Sequence, residues 1–498
     1  MQYTSTRNNS LSVSSAQAIA SGISPEGGLF VPVEIPHITP DFISSLIPMT
    51  YIERARAVLS LFLTDYTKEE LDSFTEGAYS TGFSSPDVAP TVEVNDRLNI
   101  LELWHGPTCA FKDMALQILP YLLTGAAKRV SEGKETVILV ATSGDTGKAA
   151  LEGFKDVDGT RILVFYPEDG VSPMQKLQMT TQAGKNVGVC AISGNFDDAQ
   201  TGVKRIFTDE RVKKKLSEHN MAFSSANSIN WGRLVPQIVY YFSAYADMIK
   251  MKKLENGDKI NFTVPTGNFG NILAAYYARE MGLPVNKLIC ASNANNVLTE
   301  FLTTGHYNRN RPFYTTVSPS MDILISSNLE RLLYHLSGAD SEKINTLYSS
   351  LAKTGEFTVD AEILSKLREL FDAGFCDDEG TKAAISKVFK NDGYLCDTHT
   401  AVGVSVCSDY TARTGDTTPC VVASTASPYK FSRAVLEAIR CGEKLPDDEF
   451  AAVDELERLT NTSAPSPLKA LKGMSPRFNT TVTKDGMEKA VYSLLGIE

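Results

Sequence analysis

The sequence lacks any apolar run long enough to cross a membrane. Its longest apolar runs, such as residues 137–141, have only the length of a strand, whereas a membrane helix needs about 18 or more apolar residues in a row. The first nine residues also lack the charged start and apolar core of a signal peptide. We therefore expect a soluble protein with no membrane partner, located by default in the cytoplasm.

The sequence also lacks the charge and the motifs of several common binding sites. A net charge of −11 argues against nucleic acid as a partner. The eight cysteines contain no Cys-x-x-Cys pair, and the six histidines show no spacing typical of metal ligands, so we predict no metal site. Cysteines scattered in this way are expected to be reduced and mostly packed in the core.

What the sequence does contain is an alternation of strand-type and helix-type segments. The apolar runs of strand length are residues 136–140, 161–166, 187–192, 260–264 and 287–291. Continuous apolar strands separated by helices are typical of parallel sheets covered on both faces. The sequence therefore predicts an α/β fold with a largely parallel sheet.

The length of 498 residues is too great for one compact core, and about two to three domains are expected. Residues 1–98 contain a helical pattern and several turns, and are predicted to form a small N-terminal domain. Residues 99–225 are predicted to form a small domain, and residues 226–498 a larger one. Within the larger domain, residues 335–395 are rich in charge with helical apolar spacing, which predicts an exposed helical insertion.

Lys112 is the first candidate functional residue. It ends the run His105-Gly-Pro-Thr-Cys-Ala-Phe-Lys112, where a strand-type segment changes to a helix-type one. Burial lowers the pKa of a lysine and makes its amine a nucleophile toward an aldehyde. A solvated lysine is the commoner outcome for any lysine judged alone, so the interpretation depends on the loops that follow.

Two later loops have the character of anion sites. Residues 265–271, Pro-Thr-Gly-Asn-Phe-Gly-Asn, join a strand to a helix, and their glycines allow close approach of a phosphate to helix-start amides. Residues 141–148 offer hydroxyls and helix-start amides to a carboxylate, and Asp145 also fits as a helix cap. This second loop is not a P-loop, because Thr142 stands where glycine is required and Ala149 where Ser or Thr is required.

Two further segments complete the set of candidates. Residues 225–233 collect serine, asparagine and Arg233, a combination that suits a phosphate group. Residues 421–428 form a strand that ends in small hydroxyl residues, where Thr425 can bond a heterocycle nitrogen. Each segment has an equally ordinary alternative, a polar surface loop in the first case and a cap for the helix from Tyr429 in the second.

Together these segments resemble threonine synthase of the longer type. The resemblance rests on residues 105–113, 141–147, 225–230, 265–271 and 425–428, and extends to residues 3–7 and 26–32. It implies a pyridoxal phosphate (PLP) enzyme of fold type II, similar to the tryptophan synthase β chain, with two mainly parallel-sheet domains covered by helices and a small N-terminal domain. It implies conversion of O-phospho-L-homoserine and water to L-threonine and phosphate by γ-elimination and β-addition.

The resemblance also implies roles for single residues. Lys112 carries the cofactor as a Schiff base, and Thr425 contacts its pyridine nitrogen. The residues implied around the cofactor phosphate are Gly267, Asn268, Phe269, Gly270 and Asn271. The residues implied to bind substrate are Thr142, Ser143, Asp145, Thr146, Ser225, Asn227, Ser228, Asn230 and Arg233. Ser427 stands where relatives often carry histidine, and we assign it no role.

Several alternatives stay open at the level of sequence. A related phospho-lyase would release 2-oxobutyrate from the same substrate, and a serine/threonine dehydratase would share the cofactor motifs. A non-catalytic protein of the same fold would bind a phosphorylated metabolite. The chain is expected to act as a monomer or a homodimer, and closure of its domains on substrate is expected because water has to be excluded.

Overall fold

The computed structural model describes residues 1–130, 133–142, 144–168, 171–440 and 444–497, apart from the side chains of Phe196 and Asp197. Ser143, one of the predicted substrate-binding residues, lies outside the described residues. The strands of the described chain are β1 (Tyr3–Ser5), β2 (Asn8–Val13), β3 (Phe30–Pro32), β4 (Thr91–Asn95), β5 (Leu98–Glu102), β6 (Glu135–Ala141), β7 (Thr160–Pro167), β8 (Val187–Ser193), β9 (Met221–Ser224), β10 (Ile260–Pro265), β11 (Val285–Ser292), β12 (His306–Asn308), β13 (Glu356–Thr358), β14 (Phe371–Phe375), β15 (Cys420–Ser424) and β16 (Thr481–Thr483).

The helices of the described chain are α1 (Ser15–Ser21), α2 (Pro40–Leu46), α3 (Tyr51–Phe62), α4 (Lys68–Tyr79), α5 (Asp113–Leu116), α6 (Leu119–Val130), α7 (Asp145–Phe154), α8 (Pro173–Thr180), α9 (Phe196–Thr208), α10 (Glu210–Glu218), α11 (Trp231–Lys250), α12 (Gly270–Met281), α13 (Val297–Thr304), α14 (Leu329–Leu336), α15 (Ser341–Thr354), α16 (Ala361–Leu370), α17 (Asp378–Asp392), α18 (Thr398–Thr414), α19 (Ser432–Arg440), α20 (Glu449–Thr460), α21 (Ser466–Lys469) and α22 (Met487–Leu495). Short 3-10 turns lie at Pro319–Met321, Pro428–Phe431 and Lys484–Gly486.

Two parallel sheets form the body of the molecule. The smaller sheet has the order β16-β8-β7-β6-β9, and all its pairings are parallel. The larger sheet has the order β14-β11-β10-β15-β5-β4 and is parallel except at the β4–β5 edge. Every residue of β10 and β15 is buried, as expected for strands covered on both faces. The predicted α/β architecture is confirmed.

The N-terminal residues form a small three-stranded sheet in the order β2-β1-β3. The side chain of Arg7 pairs with Glu330 at 2.7 Å between Nη2 and Oε2. The buried guanidinium of Arg331 donates from Nε to the carbonyl oxygen of Phe30 at 2.9 Å. Tyr3 and Trp231, whose rings lie 5.3 Å apart, belong to one continuous apolar core. The N-terminal unit is therefore joined to the larger sheet through shared packing and buried polar contacts.

The stretch 335–395 differs from the predicted helical insertion. It contains the helices α15, α16 and α17, but it also supplies the short strand β13 and, between α16 and α17, β14, the edge strand of the larger sheet. Strand β14 pairs with β11 in parallel register, Leu288 opposite Phe371. The strand was missed because its sequence, Phe-Asp-Ala-Gly-Phe, is short and not continuously apolar. The description of this stretch as an insertion was therefore wrong for residues 371–375.

Each of the two large sheets contains strands from more than one of the three units predicted from the sequence. Strands β4 and β5 straddle residue 98 and form one antiparallel pair in the larger sheet. Strand β16, near the end of the chain, belongs to the smaller sheet. We keep the units 1–98, 99–225 and 226–498 as a proposal about domains. In this proposal β4 and β5 are assigned to the unit of the larger sheet, and β16 to the unit of the smaller sheet.

None of the described helices is long and apolar enough to cross a membrane. In the same ranges, no group of three or more His, Cys, Asp or Glu side chains lies close enough together to hold a metal ion.

Candidate active site

Lys112 lies at the junction between strand β5 and helix α5, where it is the residue before the first helical position. Its loop is held against the end of β15. The amide of Phe111 donates to the carbonyl oxygen of Thr425 at 2.8 Å, and Ala110 forms an isolated antiparallel bridge with Ala426. The backbone before Lys112 is thereby fixed to the end of the larger sheet, and the Lys112 side chain is only 12% exposed.

Burial lowers the pKa of Lys112 to about 8. The carboxylate of Asp145 acts in the opposite direction, and the charges of Lys430 and Arg233 add to the lowering. The Nζ atom also lies 5.0 Å from the centroid of the Phe111 ring. An amine with this pKa loses its proton far more readily near neutral pH than an ordinary lysine does. The sequence-based expectation of a desolvated lysine is met by the geometry.

Asp145 lies beside Lys112 but is bound chiefly to another lysine. Its Oδ1 is 2.6 Å from Nζ of Lys430, and its Oδ2 is 3.8 Å from Nζ of Lys112. It also accepts from Nε2 of Gln175 at 3.0 Å. Burial alone would raise the pKa of Asp145, but the two ammonium groups and the bond from Gln175 hold it well below its usual range. Asp145 is therefore an anion within the site, and it is not the helix cap considered from sequence, since Gly144 takes that position.

The loop before α7 is organised by Thr142. Its Oγ1 accepts from the amides of Gly144 at 3.0 Å and Gly147 at 2.9 Å. Gly147 has to be a glycine, because a Cβ there would lie 2.4 Å from Cγ2 of Thr142. Thr146, in the first turn of α7, is half-buried. The first turn of a helix leaves amides without intrahelical acceptors, so this loop retains the capacity to bind an anion.

The loop between β10 and α12 directs its backbone amides away from Ser326 and Asn328. The carbonyl oxygen of Gly267 accepts from Ser326 Oγ at 2.8 Å, and that of Asn268 accepts from Nδ2 of Asn328 at 3.0 Å. A trans peptide points its N–H opposite to its carbonyl, so the amides that follow face away from these partners. Four consecutive amides find no acceptor among the described residues, those of Asn268, Phe269, Gly270 and Asn271. They form a cradle for an anion at the start of α12.

Close packing explains the composition of this loop. A Cβ on Gly267 would lie 2.6 Å from the carbonyl oxygen of Ser320, so the approach of the Ser320 backbone requires glycine. Phe269 has a left-handed conformation with φ 63° and is buried. Asn268 is exposed, whereas Asn271 is buried. Asn271 Oδ1 accepts from Tyr240 and Tyr241, and its Nδ2 has no partner among the described residues.

The segment 225–233 contains side chains that hold the local backbone and side chains with polar atoms left to bind a ligand. Asn230 is the cap of α11, accepts from the amide of Gly232 and donates to the carbonyl oxygens of Ile19 and Ser225. Ser225 is buried and accepts from the amide of Asn227, which is itself exposed. The side-chain amide of Asn230 is thus occupied by three protein contacts.

Arg233 and Ser228 are the members of this segment that face other parts of the site. Burial lowers the pKa of Arg233 to about 10. Its Nη1 donates to the carbonyl oxygen of Ala226 at 2.5 Å, while its buried Nε has no partner among the described residues. Ser228 accepts from Nδ2 of Asn328 at 3.4 Å, so one asparagine contacts both this segment and the loop at 268. A buried guanidinium without a carboxylate partner is a candidate anion-binding group.

Thr425 lies at the carboxyl end of β15 and is 6% exposed. Its hydroxyl has no partner in the part of the chain that the structure describes, whereas its carbonyl oxygen holds the loop of Lys112. Ser427 caps the following 3-10 turn by accepting from the amide of Tyr429 at 3.4 Å. The capping alternative considered for this segment therefore applies to Ser427, and the Thr425 hydroxyl is left available.

The structure adds residues that the sequence did not reveal. Ser320 donates from its amide to Nε2 of His399 at 3.1 Å and from Oγ to Asp145 at 3.4 Å. His399 is fixed by Asp397, which lies 2.8 Å from its Nδ1. Lys430 was overlooked although it stands only two residues beyond the segment 421–428. None of these residues belongs to a recognisable motif, and only the fold brings them together.

The residues present fit pyridoxal phosphate. The amide cradle at the start of α12 suits its phosphate, the Thr425 hydroxyl is available to a ring nitrogen, and the buried Lys112 amine suits its aldehyde. The Nδ2 of Asn271, which has no partner in the described ranges, provides a further donor at the same helix start. A phosphate group, a heterocycle and an aldehyde together describe this cofactor.

Comparison with known proteins agrees with this fit. Residues 84–425 match the family model described as pyridoxal-phosphate dependent enzyme, which defines the class of the protein and its cofactor. Residues 2–79 match the threonine synthase N terminus, and residues 400–473 match the threonine synthase C-terminal model. The chain belongs to the threonine synthase family.

Individual relatives support the same membership. The threonine synthase of Pseudomonas aeruginosa is 39% identical, over 88% of this chain and 90% of its own length. A PLP-bound threonine synthase from Brucella melitensis, solved by X-ray crystallography, superimposes with a TM-score of 0.88 at 37% identity and covers 99% of both chains. Threonine synthase-like 1 of Homo sapiens is 40% identical over 86% of this chain, which spans only 58% of that relative's length.

Proposed function

We propose that this chain is a threonine synthase, which converts O-phospho-L-homoserine and water to L-threonine and phosphate. The observation that carries the proposal is the buried amine of Lys112, whose pKa is lowered to about 8, at the point where the ends of both sheets meet. Membership of the threonine synthase family and the unsatisfied amides at the start of α12 support it.

The cofactor site follows from the groups left without partners. In the proposal Lys112 binds the cofactor covalently, and the loop 267–271 binds its phosphate through the amides of Asn268 to Asn271. The Thr425 hydroxyl contacts the ring nitrogen and leaves it largely neutral, because a hydroxyl does not provide the negative charge of an aspartate. When bound, pyridoxal phosphate supplies an electron sink for bond breaking next to the substrate amine.

The substrate site is proposed to have two anion-binding parts. The helix-start amides of the loop 142–147, which includes Ser143, Asp145 and Thr146, take the α-carboxylate. Because the Asp145 side chain is an anion bound to Lys430, its share in this contact is assigned to its backbone amide. The segment of Ser225, Asn227, Ser228 and Arg233 takes the substrate phosphate, with the buried Arg233 as the cation.

Proton transfer is assigned to Lys112. A pKa near 8 allows its amine to accept and to return a proton close to neutral pH, as a general acid–base group requires. In the proposed reaction it moves protons at Cα and Cβ, phosphate leaves from Cγ, and water adds at Cβ. Water has to be kept out until that last stage, so we propose that the two sheets approach each other when substrate binds.

The test is product analysis with the PLP-loaded full chain. Incubation with O-phospho-L-homoserine is expected to release phosphate and threonine in equal amounts. Lys112→Ala is expected to lose both products and also the visible absorbance of the lysine-bound cofactor. Lys366→Ala, which removes an exposed lysine paired with Glu362, is the control and is expected to retain both. Visible absorbance that persisted in Lys112→Ala would refute the lysine assignment.

A phospho-lyase that releases 2-oxobutyrate is the second candidate. The same buried lysine and anion-binding loops would serve its reaction, which shares the loss of phosphate from the substrate. The same incubation separates the two, since 2-oxobutyrate instead of threonine beside equimolar phosphate would identify the lyase. No release of phosphate by the loaded protein would instead favour a non-catalytic metabolite-binding protein. We further propose a cytoplasmic monomer or homodimer, which fractionation and light scattering would check.

A further inference from the structure

A second buried lysine lies at the site, and neither the motifs nor the proposed reaction gives it a role. Lys430 is in the 3-10 turn Pro428–Phe431 that follows β15, and its side chain is 0% exposed. Its Nζ lies 2.6 Å from Oδ1 of Asp145 and donates to the carbonyl oxygen of Thr108 at 3.0 Å. A fully buried ammonium group is retained only where its charge is compensated.

The carboxylate of Asp145 faces two ammonium groups. The nearer is Lys430 at 2.6 Å, and the farther is Lys112 at 3.8 Å. Gln175 and Ser320 complete its contacts with neutral donors. Asp145 follows β6 of the smaller sheet, whereas Lys430 follows β15 of the larger one. The contact therefore joins the two sheets directly beside the lysine that the proposed function requires.

We propose that Lys430 is a positioning residue for the cofactor-binding lysine. By engaging the Asp145 carboxylate, Lys430 prevents that carboxylate from forming a close ion pair with Lys112, and the Lys112 amine is left able to lose its proton. The inference deepens the proposed function and rests on it in one respect, that Lys112 is the residue which reacts with the cofactor aldehyde.

The charges around Lys112 explain why Lys430 is needed. The charged groups that act most on the Lys112 amine among the described residues are Asp145 on α7, Lys430 on the 3-10 turn, Arg233 on α11 and Asp113 on its own helix. Asp113 is bound by the amide and the hydroxyl of Thr108, at 2.8 and 2.7 Å. Asp145 is thus the anion able to turn toward Lys112 if its own partner is removed.

The consequence is large enough to measure. With its pKa at about 8, roughly one Lys112 amine in ten is neutral at pH 7. At an ordinary lysine pKa the neutral fraction would be about three in ten thousand. Loss of Lys430 reduces the reactive fraction in two ways: it removes a positive charge that lowers the pKa of Lys112 directly, and it frees Asp145 to form a close ion pair that raises this pKa.

The experiment measures the reactivity of Lys112 without using turnover. The full chain is freed of cofactor and mixed with pyridoxal, which has the aldehyde but lacks the phosphate, so the phosphate site does not affect the result. The adduct is trapped with borohydride at a series of pH values, and its amount at Lys112 is read by peptide mass spectrometry. The pH midpoint of labelling reports the proton affinity of the amine.

Lys430→Met is expected to move the midpoint upward by about one pH unit, which is a roughly tenfold loss of labelling at pH 7. Lys430→Gln, whose amide can still donate to both oxygens, keeps the contact without the charge, and is expected to move the midpoint upward by less than Lys430→Met does. Lys148→Met removes another buried lysine, one paired with Glu152, and is expected to leave the midpoint in place.

A double-variant comparison shows whether Lys430 acts through Asp145. In the Asp145→Asn background, Lys430→Met is expected to shift the midpoint clearly less than in the natural sequence, because only the direct effect of the Lys430 charge is left. This double variant also lacks both buried charges, so it is expected to fold even if Lys430→Met alone does not. Equal shifts in the two backgrounds, or no shift with either Lys430 variant, would overturn the inference. Failure of the natural chain to label at Lys112 would instead refute the proposed function.

Discussion

The properties of the charged residues at this site are set by their burial. Lys112 is a lysine whose pKa is lowered by burial, and Arg233 is a guanidinium whose Nε has no partner within the described part of the chain. Asp145 remains an anion because Lys430 lies 2.6 Å away. A typical lysine or arginine on the surface would show none of these properties. The chemistry proposed for the protein therefore depends on where its charges are buried.

The lowered pKa of Lys112 predicts a specific pH dependence of stability. Between pH 8 and 10.5 the unfolded chain holds more protons on this group than the folded chain, so the free energy of unfolding rises with pH. The cost of the buried charge is fully present below the folded pKa and vanishes above the unfolded one. The total change over this window is about 3 kcal/mol.

Lys112→Met removes this dependence. Urea unfolding of both cofactor-free proteins at several pH values between 7.5 and 10.5 would give the difference between their free energies of unfolding. We expect the variant to be more stable at the lower end and the two curves to converge toward pH 10.5. Curves that stay parallel over the whole range would show that the Lys112 pKa is not lowered in the folded protein.

Helices and loops position the site by a few capping contacts. Helix α11 begins at Asn230, whose side chain accepts from Gly232 and donates to Ile19 and Ser225. One side chain thus starts the longest described helix, anchors the segment 225–233 and contacts α1. Helix α9 begins at Asn195, which caps in a similar way but is exposed. Comparing the two asparagines separates the stability lost with a helix cap from the stability lost with a buried junction.

We expect Asn230→Ala to destabilise the protein more than Asn195→Ala. Loss of an exposed cap costs about 1 kcal/mol. Asn230→Ala additionally leaves two buried carbonyl oxygens without a donor, at about 1–3 kcal/mol for each unsatisfied group. Thermal unfolding of the two variants would measure the difference. Equal losses would mean that Asn230 contributes only as a cap and does not hold the segment 225–233.

The whole molecule depends on contacts between units that are distant in sequence. Arg331 is fully buried and donates to the carbonyl oxygen of Phe30, to Asn328 Oδ1 and to the carbonyl oxygen of Ile229. It therefore connects the N-terminal sheet, the segment 225–233 and the asparagine that supports the phosphate loop. A planar guanidinium can make three such bonds in fixed directions, whereas an ammonium group cannot.

Arg331→Lys is expected to loosen this junction although it keeps the charge. The free energy of unfolding should fall by more than about 2 kcal/mol, because buried carbonyl groups lose their donors. Hydrogen exchange should increase at residues 26–32 and 225–230. Arg413→Lys, at an exposed arginine that pairs with Asp372, is the control and should change stability by less than about 0.5 kcal/mol. Unchanged hydrogen exchange at residues 26–32 and 225–230 in Arg331→Lys would refute the proposal that Arg331 holds the junction together.

Much of the fold and part of the site could be predicted from the sequence. Apolar strands such as residues 136–140 and 161–166 were found because buried parallel strands are continuously apolar. Lys112 and the loop 265–271 were predicted as site residues from glycine and helix-start patterns taken together with the resemblance of several loops to one family, and their roles stay predictions. Strand β14 was not found, since a short edge strand with polar residues carries no such pattern.

The sequence by itself determined the class of fold, because buried parallel strands are recorded in local apolar runs, and it predicted Lys112 and the loop 265–271 as candidate cofactor-binding groups. Only the tertiary structure decided the partners of Asp145, the contacts of Ser320 with His399, and the connections made by Asn328 and Arg331. Asp145 and Lys430 are 285 positions apart, and no local pattern records that they meet. Electrostatic effects act through space, so the charge state of Lys112 is set by groups that only folding brings to it.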